Sequence, residues 1–163
     1  MASRGVHFAI TTEQMNALLE ADEDGTIEEI IEEIEEAWDE DNLAESDKAW
    51  DAMHRVLTDG QLEFGDPDQP LSLCVLGPRQ LHEDDDYLVS LVLPAEVTAV
   101  AKALEGVSEE WFRQQYETVV PKDYSPEYGP EDLEYTWSNF QDVRQLFRKA
   151  AERKRAVVFS VAQ

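Results

Sequence analysis

Within SDKAWDAMHRVLTDG, residues 46–60, four polar side chains have the types and the spacing to do chemistry. Asp47, Asp51, His54 and Thr58 stand at i, i+4, i+7 and i+11. On one continuous helix they share a face. Trp50, Met53 and Leu57 fall on the adjoining apolar face. A polar strip beside a tryptophan-lined strip is how many pocket walls are built. Asp51 could orient His54 as a general base. The carboxylates and histidine could also join a divalent-metal site completed from elsewhere. The plainer reading is a capped core helix: Ser46 as N-cap, Asp47 at the positive end, Trp50 and Leu57 in the core, and His54 satisfied by a carboxylate or a backbone carbonyl. Gly60 then supplies the stop signal.

Other chemistry-bearing residues are more scattered. His7 sits on the less apolar side of an alternating segment and could meet His54 if the two elements pack together. The lone Cys74 lies in the apolar run LSLCVLG and reads as a small core residue. LHEDDDYL, residues 81–88, lacks the glycine and final glutamate of an EF-hand loop and reads as a solvated turn. Tyr124 and Tyr128, with Lys122 and Asp123, occupy a proline-rich loop and could line an opening. The patterns HExxH, paired CxxC, GxSxG and the P-loop do not occur. No catalytic residue, metal or cofactor is therefore assigned, and the reading leans away from an enzyme.

The elements that must position these residues follow from periodicity. RGVHFAI alternates and predicts a strand. Thr11 and Gln14 form a capping-box pair before Met15, Leu18 and Leu19. In TIEEIIEEIEEAWDEDN, Ile27, Ile30, Ile31, Ile34 and Trp38 make an apolar helical stripe. LSLCVLG could be a strand or a buried helical turn. YLVSLVL predicts a central strand. Pro94 opens a helix that Gly106 closes, and Ser108 caps the next. Leu133, Trp137, Phe140, Val143, Leu146 and Ala150 give the stripe of a last helix over about 131–153, before the strand AVVFSVA. Helices thus outnumber strands. The expected fold class is α+β: a small, largely antiparallel sheet packed with several amphipathic helices in a single domain.

Charge is the unusual feature. The chain has 163 residues with 13 basic and 37 acidic ones, a net charge of −24. No Lys or Arg stands between Arg4 and Lys48, where 15 acidic residues fall in Glu20 to Asp47. Glu28, Glu29, Glu32, Glu33, Glu35 and Glu36 form a candidate acidic interaction face. Arg144, Arg148, Lys149, Arg153, Lys154 and Arg155 reverse the balance near the C-terminus. The field opposes direct nucleic-acid binding and anionic membranes, and it favours encounter with a basic protein. The two charge blocks could pair within one molecule, or join copies into a homo-oligomer. Salt adaptation would explain the same composition. The N-terminal segment has no apolar stretch long enough for a signal peptide, so a cytoplasmic protein is expected.

Several of these pieces carry a resemblance. RGVHFAITTEQMNALLE, DKAWDAMHRVLTDG, PLSLCVLG and the closing helix with AVVFSV resemble the YfbM-like family (DUF1877) over most of the chain. The most specific piece is D-K-x-W-D-x-x-H-x-x-L-T-G, here with Asp59 added before the glycine. The resemblance implies a small bacterial α+β protein and no particular activity. The leading functional expectation is a non-enzymatic, acidic, cytoplasmic protein-interaction module, of which an immunity-like or antitoxin-like neutraliser of a basic partner is one concrete version. The alternative is a small-molecule-binding protein or hydrolytic enzyme with a pocket lined by Asp47, Trp50, Asp51 and His54, flanked by Thr58.

Overall fold

The computed structural model describes residues 4–21, 23–60, 63–83, 87–119 and 130–162. Strands β1 (Arg4–Ile10), β2 (Leu43–Asp47), β3 (Arg79–Glu83), β4 (Tyr87–Val92) and β5 (Ala156–Ala162) form one sheet in the order β2-β1-β5-β4-β3. Every neighbouring pair is antiparallel. β5 lies at the centre and pairs with β1 from Arg4↔Ala162 to Ile10↔Ala156. Both faces of β5 are covered, which is why AVVFSVA is apolar at every position but Ser160 and does not alternate.

Among the described residues six helices pack around the sheet: α1 (Thr12–Glu20), α2 (Asp24–Ala37), α3 (Trp50–Leu57), α4 (Pro94–Glu105), α5 (Glu109–Val119) and α6 (Pro130–Glu152). The α+β single domain is as expected. The sheet has two unequal cores. One holds Trp50, Met53, Val97, Phe112, Phe140, Phe147 and Phe159, supplied by α3 to α6 and the sheet. The other holds Phe8, Ile10, Leu18, Ile27, Ile31, Ile34, Val89 and Val158, beneath α1 and α2. Burying the α2 isoleucines contributes roughly 1.5–3 kcal/mol each. That outweighs the few tenths of a kcal/mol lost at each i, i+4 glutamate pair on the outer side.

Local signals placed several ends correctly. Thr11 and Gln14 make the reciprocal capping box of α1. Pro94 starts α4, and the Trp111 amide donates to Ser108 Oγ at 3.1 Å at the start of α5. Three readings need correction. Residues 43–47 are a strand, so the helix begins at Trp50 and not at Ser46. Leu43 and Glu45 alternate with Ala44 and Ser46, and pairing with β1 outcompetes the cap. Ser46 Oγ donates to the Gly5 carbonyl at 3.2 Å instead. Gly5 is required there, because a Cβ would stand 2.7 Å from the Phe159 ring and 2.9 Å from Ser46 Oγ. The charged turn assigned to LHEDDD is partly β3, with residues 84–86 outside the described set. Of the two readings left open for LSLCVLG, the helical turn is the one formed, as a 3-10 turn over Pro70–Leu73. Finally, α2 ends at Ala37; Trp38 is its left-handed C-cap at φ 41°, 39% exposed, with its ring against the edge of Phe8.

Candidate functional site

The polar strip predicted for one helix is not formed. Asp47 belongs to β2, in the left-handed region at φ 47°. It accepts a hydrogen bond from the Tyr135 hydroxyl of α6 and lies 3.4 Å from the Arg4 guanidinium. Asp51 does sit in the first turn of α3, where Arg55 one turn on donates to it at 2.6 Å. His54 is fully buried. Its Nε2 stands 2.6 Å from the Glu63 carbonyl. A carbonyl only accepts, so Nε2 carries the proton and Nδ1 is left bare and without a partner. Burial lowers the His54 pKa, against the opposing pull of the Glu63 carbonyl and of Asp51. Thr58 is the C-cap, and its hydroxyl donates to the His54 carbonyl at 2.6 Å. Trp50, Met53 and Leu57 are core residues. Each polar member of the strip is tied to a different neighbour; of the plainer reading, the core placement of Trp50 and Leu57 and the His54 bond to a carbonyl are present, whereas the Ser46 cap and Asp47 at the helix start are not.

The added Asp59 has a structural role. Asp59 and Gly60 both take left-handed φ, at 56° and 89°. The Gly60 amide closes the helix end on the Arg55 carbonyl at 2.7 Å. Asp59 accepts from Gln115 of α5 at 3.1 Å, which ties the helix end to its neighbour.

The other histidines are apart from His54. His7 is fully buried against Phe147 and Phe159, and its Nε2 donates to the Cys74 carbonyl at 2.8 Å. Burial lowers its pKa to about 4, partly opposed by that carbonyl. No hydrogen bond or ring contact links His7 to His54 among the described residues. Cys74 is buried and its thiol pKa is raised by burial, as a core cysteine requires. His82 lies in β3 with Nε2 3.4 Å from Glu28. Among the described residues no group of three or more His, Cys, Asp or Glu is placed to hold a metal. Lys122, Asp123, Tyr124 and Tyr128 lie outside the described residues.

Of the six α2 glutamates expected on the outer face, five are exposed and one is not. Glu28, Glu29, Glu32, Glu33 and Glu36 are exposed. Glu35 is half-buried and points back to the sheet, where it accepts from Ser160 Oγ at 3.0 Å and from the Tyr87 hydroxyl at 3.3 Å. Burial and then the charge of Glu35 raise the Tyr87 pKa. No Lys or Arg among the described residues pairs with Glu29, Glu32, Glu33 or Glu36. Three of the six C-terminal cations are used elsewhere. Arg144 donates to the Val107 carbonyl at 2.9 Å and lies over Trp137 and Phe140. Arg153 donates to Asn42 at 2.8 Å, and Arg155 to the Ala9 carbonyl at 3.4 Å. Intramolecular pairing of the two charge blocks is therefore not formed among the described residues.

A groove of about 370 Å³ opens at a place that no motif marks. Its walls are Leu43, Ala44 and Glu45 of β2, Glu40 and Asp41 just before it, and Asn139, Asp142, Gln145, Leu146 and Lys149 of α6. Treating 46 as a helix cap hid the strand that forms one wall. Leu43, Ala44, Glu45 and Ser46 do not alternate in hydropathy, so periodicity carried no strand signal there.

Among the described residues no helix is long and apolar enough to cross a membrane. A solved structure titled as a protein of unknown function, YfbM from Escherichia coli, has the same fold: TM-score 0.63 and 22% identity, covering 99% of this chain and 99% of that one. No curated protein matches the chain in sequence. The family described as "Domain of unknown function (DUF1877)" matches residues 1–160, so the chain belongs to that family.

Proposed function

We propose that this DUF1877 protein is a non-enzymatic interaction module whose α2 glutamates meet a basic protein partner. One observation carries the reading: Glu29, Glu32, Glu33 and Glu36 are exposed on a helix docked by its isoleucines, and no cation of the described residues neutralises them. Repulsion along such a helix costs stability, and a basic partner would relieve it on binding. Trp38, exposed at the end of the same helix, adds an aromatic anchor of the kind enriched at interfaces. Neutralisation of a basic partner in the cytoplasm, as an immunity protein or antitoxin achieves it, is the concrete form of this role.

The reading of a pocket along Asp47, Trp50, Asp51 and His54 draws less support, since His54 is buried and Asp51 is already paired with Arg55. The test is capture from source-cell lysate at low and high salt, with the wild type beside an E29Q/E32Q/E33Q/E36Q variant. The proposal expects a protein held by the wild type at low salt, released at high salt and missed by the variant. If every captured protein is bound equally by the variant, the α2 face is not the binding surface.

A further inference from the structure

The groove between β2 and α6 has a geometry that α2 lacks. Leu43, Ala44 and Glu45 are consecutive residues of one strand, so their side chains point alternately to opposite sides of the sheet. All three nevertheless line the groove. The groove must therefore run along the backbone edge of β2. β2 is the outermost strand, with β1 on one side only. Outside that ladder the backbone groups of Leu43, Ala44 and Glu45 make no hydrogen bond among the described residues.

The opposite wall is one stripe of α6. Asn139, Asp142, Gln145, Leu146 and Lys149 recur at i, i+3, i+6, i+7 and i+10. At 1.5 Å per residue this stripe is about 15 Å long. An extended chain rising about 3.3 Å per residue would place four or five residues along it. An open strand edge facing a helix stripe is the arrangement in which a peptide adds as a further strand.

Charge selects the occupant. Glu40, Asp41, Glu45 and Asp142 line the groove against the single cation Lys149. Leu43, Ala44 and Leu146 supply an apolar floor between them. A short, charged edge strand also guards a sheet against uncontrolled pairing. Here four acids face one lysine along the groove, so it disfavours acidic strands and favours a basic one.

We infer that the β2–α6 groove binds an extended basic peptide segment, which adds to β2 as a sixth strand and places its lysines or arginines against Glu45 and Asp142. The inference does not rest on the α2 reading, because β2 and α6 bind without contribution from Glu29, Glu32, Glu33 or Glu36. The probe is a fluorescein-labelled, alternating lysine–valine hexapeptide, titrated into the intact protein at low ionic strength and followed by anisotropy and by amide chemical shifts. Binding is expected with shifts at residues 43–45 and 139–149. The side chains of Glu45 and Asp142 are exposed and make no hydrogen bond among the described residues, so an E45K/D142K variant should fold as the wild type, checked by circular dichroism. Binding to it should weaken about tenfold or more. The E29Q/E32Q/E33Q/E36Q variant should bind the probe like the wild type. N-methylation of alternate peptide amides should abolish binding in one of the two registers. Absence of binding, unchanged binding to E45K/D142K, or equal binding of both N-methylated peptides would each overturn the inference. Loss of binding only in the α2 variant would overturn it as well.

Discussion

On one face of the sheet, α3 to α6 close over a core built from Trp50, Met53, Phe112, Phe140 and Phe147; on the other, α1 and α2 cover Phe8, Ile10, Leu18 and three isoleucines. The first face contains the family's most specific sequence piece, and nearly every polar group of that piece is engaged inside the fold. Asp51 holds Arg55, His54 holds the Glu63 carbonyl, and Thr58 and Gly60 finish the helix. The second face is thinner, and its outer surface carries charge that the fold does not use. A recognisable motif therefore marks packing here, whereas the unsatisfied feature is a run of glutamates that looked like ordinary surface.

This contrast can be broken at several points. The largest effect should come from the thick face. Phe140→Ala empties a fully buried ring position and should cost about 3–5 kcal/mol, measured by denaturant unfolding. Ile31→Ala, fully buried under α2, should cost about 2–5 kcal/mol and additionally raise amide exchange in residues 24–37. If exchange there rose no more than elsewhere, α2 would not be a separately loosening layer.

The buried histidine of the first face gives a pH test. The His7 pKa falls from 6.5 to about 4 on folding, so below pH 6.5 the unfolded chain binds the extra proton. Stability should be full above about pH 6.5 and fall as pH drops toward 4, by roughly 3 kcal/mol from this residue. The lowered pKa of His54 acts in the same direction. His7→Leu should flatten the profile in that window; an unchanged slope would show that His7 is not the buried neutral group described.

Glu35 sharpens the comparison from within α2. It is the glutamate that faces the sheet, and Glu35→Ala should cost about 1–3 kcal/mol through its bonds to Ser160 and Tyr87. Glu36→Ala, one residue on and exposed, should change stability by less than about 0.5 kcal/mol.

Much of the architecture was legible because hydrophobic period and caps are local. The α2 stripe, the Thr11–Gln14 box, the Pro94 start and the continuous run of β5 all follow from short-range rules. β2 and β3 were not legible. They are edge strands of five residues each, and their pairing with β1 and β4 is set by tertiary contact, not by composition. The same limit misplaced Asp47, whose side chain answers to Tyr135 across 88 positions of sequence. It also placed Glu35 among the exposed acids, since helical spacing alone cannot see that Ser160 and Tyr87 reach it.

The smallest expected effect bears most directly on the central claim, that the outer glutamates of α2 are surplus to folding. Unfolding free energies of the wild type and the E29Q/E32Q/E33Q/E36Q variant, compared across ionic strength, test it. Relief of i, i+4 repulsion should make the variant more stable at low salt by a few tenths to about 1 kcal/mol, with the gap closing as salt screens the charges. A variant less stable than the wild type at every salt concentration would contradict the account, because those glutamates would then be holding the fold rather than facing a partner.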